Sequence, residues 1–179
     1  MSRLVRRYLR RARRSEDGAT TIEFLIWFPF FITLVGSSIE AGLMQLQQSM
    51  LERALDLTIR DLRIGVLHDP SHDDLKVAVC NRIMLVPDCR TDLLLELTEV
   101  RTTSWTMPTG ATQCTDRSLE IQPVTTFQPG LQNDLVTVRA CIKVEPLFPT
   151  TGLGLELPKD AAGMYALTST SAFVNEPRG

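Results

Sequence analysis

The sequence predicts an α+β protein: a long N-terminal helix able to cross a membrane and extending into a domain with a short second helix and a small antiparallel sheet. Two observations predict it. Apolar residues recur at helical spacing from Ala19 to about Gly65, whereas the second half of the chain alternates residue by residue. The helical half also opens on a long, almost purely apolar stretch with charged residues on both sides. Three segments follow: a basic leader (1–18), a transmembrane and extended helix (19–65), and an α+β domain (66–179).

The leader carries seven arginines between Arg3 and Arg14, then Glu16-Asp17-Gly18. The whole chain has 19 basic and 21 acidic residues, so the body beyond Gly18 is net acidic. A basic head on an acidic body points to membrane or nucleic acid at the basic end. The apolar run directly after the arginines selects the membrane and sets nucleic acid aside. From Ala19 to Ile39 that run is long enough to span a bilayer, where a helix needs about 20 mostly apolar residues. The positive-inside tendency keeps the arginines in the cytoplasm and sends the C-terminal domain across, so the chain reads as an inner-membrane protein facing outward. A cleaved secretory signal is the alternative, with an apolar stretch of about 7–15 residues and a small-residue cleavage site. Ala41-Gly42 would be that site. The stretch here is longer and Glu40-Ala41-Gly42-Leu43-Met44-Gln45 still reads as helix, so the segment is expected to stay attached.

Gly18 and Glu23 are spaced so that a cut after Gly18 would give Ala19 a free α-amino group and leave Glu23 five residues in. An ionisable residue inside an apolar helix is expensive and needs a partner. Two readings of Glu23 stand side by side: it pairs with amino termini of neighbouring subunits in a bundle, or it is hydrated among the lipid headgroups.

Beyond the membrane stretch, Leu43, Leu46, Met50, Ala54 and Leu57 recur at three- and four-residue spacing, widened by Leu51, Leu55, Ile59 and Leu62. Gly65 is the natural stop. Asp69-Pro70-Ser71 is turn chemistry; Ser71 or Asp73 can cap a helix in which Leu75, Val79, Ile83 and Val86 recur until Pro87. His68, Asp69, His72, Asp73 and Asp74 gather metal-ligand side chains, but in no ligand spacing, and acidic helix starts suit the helix dipole. No metal is expected there. Strand candidates are Leu93–Val100, Leu119–Val124, Leu135–Val144 and Met164–Val174. In the third, Val136, Val138, Ala140, Ile142 and Val144 share one face, with Thr137, Arg139 and Lys143 on the other. Thr168, Ser169, Thr170 and Ser171 place the last strand at an exposed or edge position.

Four cysteines, Cys80, Cys89, Cys114 and Cys141, would lie outside the cytoplasm, and no Cys-x-x-Cys occurs. An even count in an oxidising compartment favours two disulfides. Of three connectivities the preferred one joins Cys80 to Cys89 at the exit of the second helix and Cys114 to Cys141, tying an irregular stretch to the clearest strand. Each would contribute about 2.5–3.5 kcal/mol by loop closure. With two histidines, both in one turn, and no phosphate-binding loop, no catalytic constellation is legible. The segment Pro146–Pro158, rich in Leu, Pro and Gly, has two readings: a cover for one end of the core, or an exposed patch for a partner or membrane surface.

Glu16-Asp17-Gly18-Ala19-Thr20-Thr21-Ile22-Glu23-Phe24, followed by an apolar run containing Pro29, resembles the start of TadE-like proteins, minor-pilin-like (pseudopilin) components of the bacterial tight-adherence pilus. Leu135–Ala140, Pro146-Leu147-Phe148-Pro149 and Ser171–Pro177 are similar to later segments of such proteins; residues 102–133 carry no family pattern. The resemblance implies a pilin-like plan and cleavage between Gly18 and Ala19 by a membrane prepilin peptidase. It matches Glu23 to the pilin glutamate beyond the cut; Phe24 stands where the major pilins of this system have tyrosine. It implies a non-enzymatic role without cofactors, in contact with other pilins and pseudopilins, the tight-adherence membrane machinery and the bilayer. An uncleaved, membrane-anchored periplasmic binding or accessory protein is the alternative, and a tethered periplasmic hydrolase a third.

Overall fold

The computed structural model describes residues 19–67, 69–101, 103–119 and 125–176. Helix α1 (Ala19–Arg63) has 45 residues and is about 68 Å long at 1.5 Å per residue. It ends just before Gly65, whose φ of 74° closes the helix. Val66 N–H donates to Asp61 O (2.9 Å) and Gly65 N–H to Leu62 O (3.2 Å), satisfying two terminal carbonyls in a left-handed cap.

The helix has two unlike halves. From Ile22 to Leu34 its large apolar side chains stand exposed, with none of the apolar window covered by the rest of the chain. From Glu40 onward one face is buried. That face runs through Glu40, Leu51, Ala54, Leu55, Thr58 and Ile59, with Met44 and Leu62 packed at its margins. It is rotated from the predicted stripe: Leu46 is exposed, while Glu40 and Thr58, both polar, lie inside. Thr58 is accommodated because its hydroxyl donates to Ala54 O (2.8 Å) and accepts from Arg82 Nη1 (2.6 Å).

Helix α2 (His72–Cys80) starts at Ser71, whose hydroxyl accepts from Asp74 N while the Asp74 carboxylate accepts from Ser71 N–H. The predicted second helix is therefore shorter at its far end. It stops at Asn81, and Ile83 and Val86 are buried from an irregular stretch instead of a helix face. The chain then makes a turn and one short helix, α3 (Cys89–Asp92), which the sequence did not announce.

Strands β1 (Leu94–Val100), β2 (Leu135–Val144) and β3 (Tyr165–Val174) form one antiparallel sheet in the order β1-β2-β3. Leu97 pairs with Val138, and Val138 with Ser171. Strand β3 is at an edge and lies along α1: Gln48 Nε2 donates to Thr168 O (2.9 Å), Tyr165 Oη to Gln47 Oε1 (3.1 Å) and Arg63 pairs with Glu176 (2.9 Å). Of the candidate strand Leu119–Val124, Leu119 is irregular and the remainder lies outside the described residues, as do Gly18, His68 and the end of the tail.

The predicted polar face of β2 is not open to water. Thr137 and Cys141 are buried and Arg139 is half-buried. The long connection between β1 and β2 covers that side. Cys114 is bonded to Cys141, Arg139 Nη1 donates to Gly110 O (3.0 Å), and Arg139 pairs with Glu96 (2.7 Å). Farther along, Leu97 and residues 126–128 exchange backbone hydrogen bonds at the outer edge of β1. Asp92, 1% exposed, anchors the same connection by pairing with the Arg117 guanidinium. The sheet thus lies between a helix layer and an irregular one. Between β2 and β3, helix α4 (Gly152–Glu156) returns to the side of α1.

Candidate functional site

The sequence singles out the start of α1. Gly18 lies outside the described residues, and α1 is described from Ala19 onward. Glu23 and Phe24 lie on its uncovered surface, with Phe24 stacked on Phe28 at 4.9 Å between ring centroids. Among the described residues no hydrogen bond or ion pair reaches Glu23, whose side chain is exposed. Pro29 lies inside the helix and lacks an N–H; Thr33 Oγ1 donates to Pro29 O (2.8 Å) one turn on. The geometry is that of a helix displaying an apolar surface with one carboxylate near its start.

The cysteines are far from this end. Cys80–Cys89 closes the turn after α2, and Cys114–Cys141 pins the covering connection to β2. No free cysteine occurs among the described residues. His72 Nε2 lies 3.2 Å from Leu95 O and its ring stands edge-on to Phe127. It is a packed side chain, and no group of His, Cys, Asp and Glu among the described residues is arranged to hold a metal.

A second constellation, missed by sequence reasoning, lies where α1 meets the domain. Glu40 is 2% exposed, and its two carboxylate oxygens accept from Leu147 N–H (3.0 Å) and Phe148 N–H (2.8 Å). One turn earlier Ser37 Oγ donates to Thr33 O (2.8 Å) and accepts from Leu153 N–H (3.2 Å). The approach is close: a Cβ on Gly152 would stand 2.3 Å from Ser37 Oγ, and Gly152 has φ of 54°. The Phe148 ring lies over Gly36. Lys159 Nζ closes the loop from behind, donating to Pro149 O (2.8 Å) and Gly154 O (2.6 Å). Burial raises the Tyr165 phenol above its ordinary value, and the Glu40 carboxylate adds to the shift. A signal was available: Glu40 occupies the buried face three turns before Leu51, where a carboxylate must find donors.

Fold and site together define a small α+β domain carried on a single helix that is long and apolar enough to cross a membrane. The model of the TadE-like protein family matches residues 18–60, the family that the sequence resembles. That stretch runs from Gly18 nearly to the end of α1 and includes Glu23, Ser37 and Glu40; it includes none of the sheet. No curated protein and no solved structure matches the chain.

Proposed function

We propose that this protein is a pseudopilin: a non-enzymatic component of tight-adherence pilus assembly, held in the bacterial inner membrane by α1. Its N-terminus is cytoplasmic and its domain, residues 66–179, is periplasmic. A prepilin peptidase removes the leader 1–18, and Glu23 then pairs with the amino terminus of a neighbouring pilin or pseudopilin. The single observation that carries the reading is that the family match opens at Gly18 and runs along a helix whose large apolar side chains from Ile22 to Leu34, around Glu23, stand exposed. A surface of that kind is built to be covered by lipid and by other helices. Phe24, in place of the tyrosine of the major pilins, favours the second reading, an uncleaved membrane-anchored periplasmic binding or accessory protein.

Glu23→Gln tests the assembly role. A carboxylate at the centre of a membrane helix costs about 2.5–3.5 kcal/mol on insertion scales, so the variant should insert at least as well as the parent. Glu23 is about 25 Å along the helix from Glu40, too far to disturb the domain. Co-purification with other pilus components should be lost at unchanged membrane level and unchanged protease resistance of the domain. Equal co-purification would make Glu23 a hydrated residue without a role in assembly.

A further inference from the structure

We propose that the segment Pro146–Leu157 is a bilayer-interface anchor, in which Leu147, Phe148 and Leu155 enter the boundary between headgroups and acyl chains around the emerging helix. The inference rests on the reading of α1 as a membrane span and adds a second, peripheral membrane contact to it.

Depth is the first argument. The apolar stretch of α1 follows Glu16-Asp17-Gly18 in the sequence, and a hydrocarbon core of about 30 Å, counted from Thr20, takes about 20 residues, reaching Ile39. The span cannot slide far towards the N-terminus, because Arg13, Arg14, Glu16 and Asp17 precede it in the sequence. The loop touches α1 at Thr33, Gly36, Ser37 and Glu40. It is therefore fastened to the last two turns of the span, at the depth where the helix leaves the core.

Chemistry at that depth is the second. No charged residue occurs from Pro146 to Leu155, and Leu147, Phe148 and Leu155 are exposed there. A segment entering the interface needs its backbone polar groups satisfied within the protein. Here Glu40 takes the N–H groups of Leu147 and Phe148, Ser37 that of Leu153, and Lys159 the carbonyls of Pro149 and Gly154. Leu157 N–H donates to Leu153 O (3.2 Å). Apolar side chains point away from a backbone whose hydrogen bonds are made inward. Glu156, exposed at the end of α4, marks the limit of the uncharged stretch.

Continuity with the span names the occupant. The same lipid that surrounds Ile32 and Leu34 on α1 meets this collar, whereas a partner protein at this level would have to displace it. Two attachments, span and collar, would fix the tilt of the domain relative to the bilayer.

The test uses the full chain in phosphatidylcholine vesicles, with lipid brominated near the headgroup end of the acyl chains as quencher. The chain has two tryptophans, Trp27 in the span and Trp105 in the connection before β2. Trp27→Phe and Trp105→Phe give a silent background for reporters introduced by Leu155→Trp, Leu147→Trp or Leu131→Trp, the last at the opposite end of the domain. A ring lying about 5–10 Å below the surface should lose at least about half its emission to the quencher, as expected for Leu155→Trp and Leu147→Trp. Leu131→Trp should be unaffected. The parent Trp27, in the Trp105→Phe chain, reports the span separately. Quenching of Trp27 without quenching of either loop reporter overturns the anchor and leaves the span intact. A blue-shifted but unquenched loop reporter also overturns it, in favour of coverage by another copy. An unquenched Trp27 overturns the span itself, and the anchor with it.

Discussion

Glu40→Ala should release the loop between β2 and α4 while leaving the sheet closed. The magnitude follows from what the carboxylate holds: two backbone N–H groups, at 3.0 and 2.8 Å, on a side chain that is 2% exposed. Hydrogen bonds to charged acceptors contribute about 1.5–3 kcal/mol each, and a buried donor left without a partner costs about 1–3 kcal/mol. Leu147 and Phe148 lie at the protein surface, where water among the lipid headgroups can recover part of the loss, and burying a carboxylate carries its own penalty, which alanine removes. A local destabilisation of about 2–4 kcal/mol remains. Amide hydrogen exchange reads it directly, since the protection of residues 147–153 is set by local opening. Their exchange should accelerate about 30- to 1,000-fold, with peptides from β2 and the Leu51–Ile59 part of α1 unchanged. Glu40→Gln keeps one acceptor oxygen and should lie between, at about 5- to 30-fold. Unchanged exchange in Glu40→Ala, or a larger effect of glutamine than of alanine, would refute the clamp.

The disulfides close loops of 9 and 27 residues by sequence separation. Loop closure then gives about 2.6 kcal/mol for Cys80–Cys89 and about 3.5 kcal/mol for Cys114–Cys141. Denaturant unfolding of full chains carrying Cys80→Ala/Cys89→Ala or Cys114→Ala/Cys141→Ala should show the second pair costing more; the reverse order would contradict the entropic origin. Lys143 pairs with Asp160 at 2.9 Å. Burial pushes the Asp160 carboxyl up, but Lys143 and the N–H groups of Met164 and Ala162 together hold it below its ordinary value of 3.8. Its folded value being the lower one, the pair contributes stability above the unfolded value, and this is lost as pH falls through the folded one. The stability gap between parent and Asp160→Asn should therefore close below about pH 4. A gap that persists through the acid range would contradict it.

What was legible in the sequence was what periodicity carries. The ends of β2 could be read because alternation is unbroken from Leu135 to Val144, and α1 because apolar spacing continues past the span. The far end of α2 departs from its periodicity: Ile83 and Val86 keep helical spacing, but Asn81 ends the helix and the disulfide to Cys89 holds both side chains in the core without it. The second covered face of β2 was invisible for a related reason. Arg139 and Lys143 read as solvent-facing charges, and only their partners, Glu96 and Asp160, distant in sequence, make their burial tolerable. In sequence Glu40 reads as a solvated carboxylate, the ordinary state of one on a helix. Its role depends on a loop more than 100 residues away, and no local pattern encodes that pairing.

The most direct test is the N-terminal residue of the native protein, sequenced from bacterial membranes and from material sheared off the cell surface. Processing as a pilin predicts Ala19 in both fractions, with Gly18 substituted by a bulky residue leaving a precursor about 2 kDa heavier, since the leader holds some 18 residues. A protein that begins at Met1 or Ser2 contradicts the processing, and with it the pairing of Glu23 to a neighbour's amino terminus.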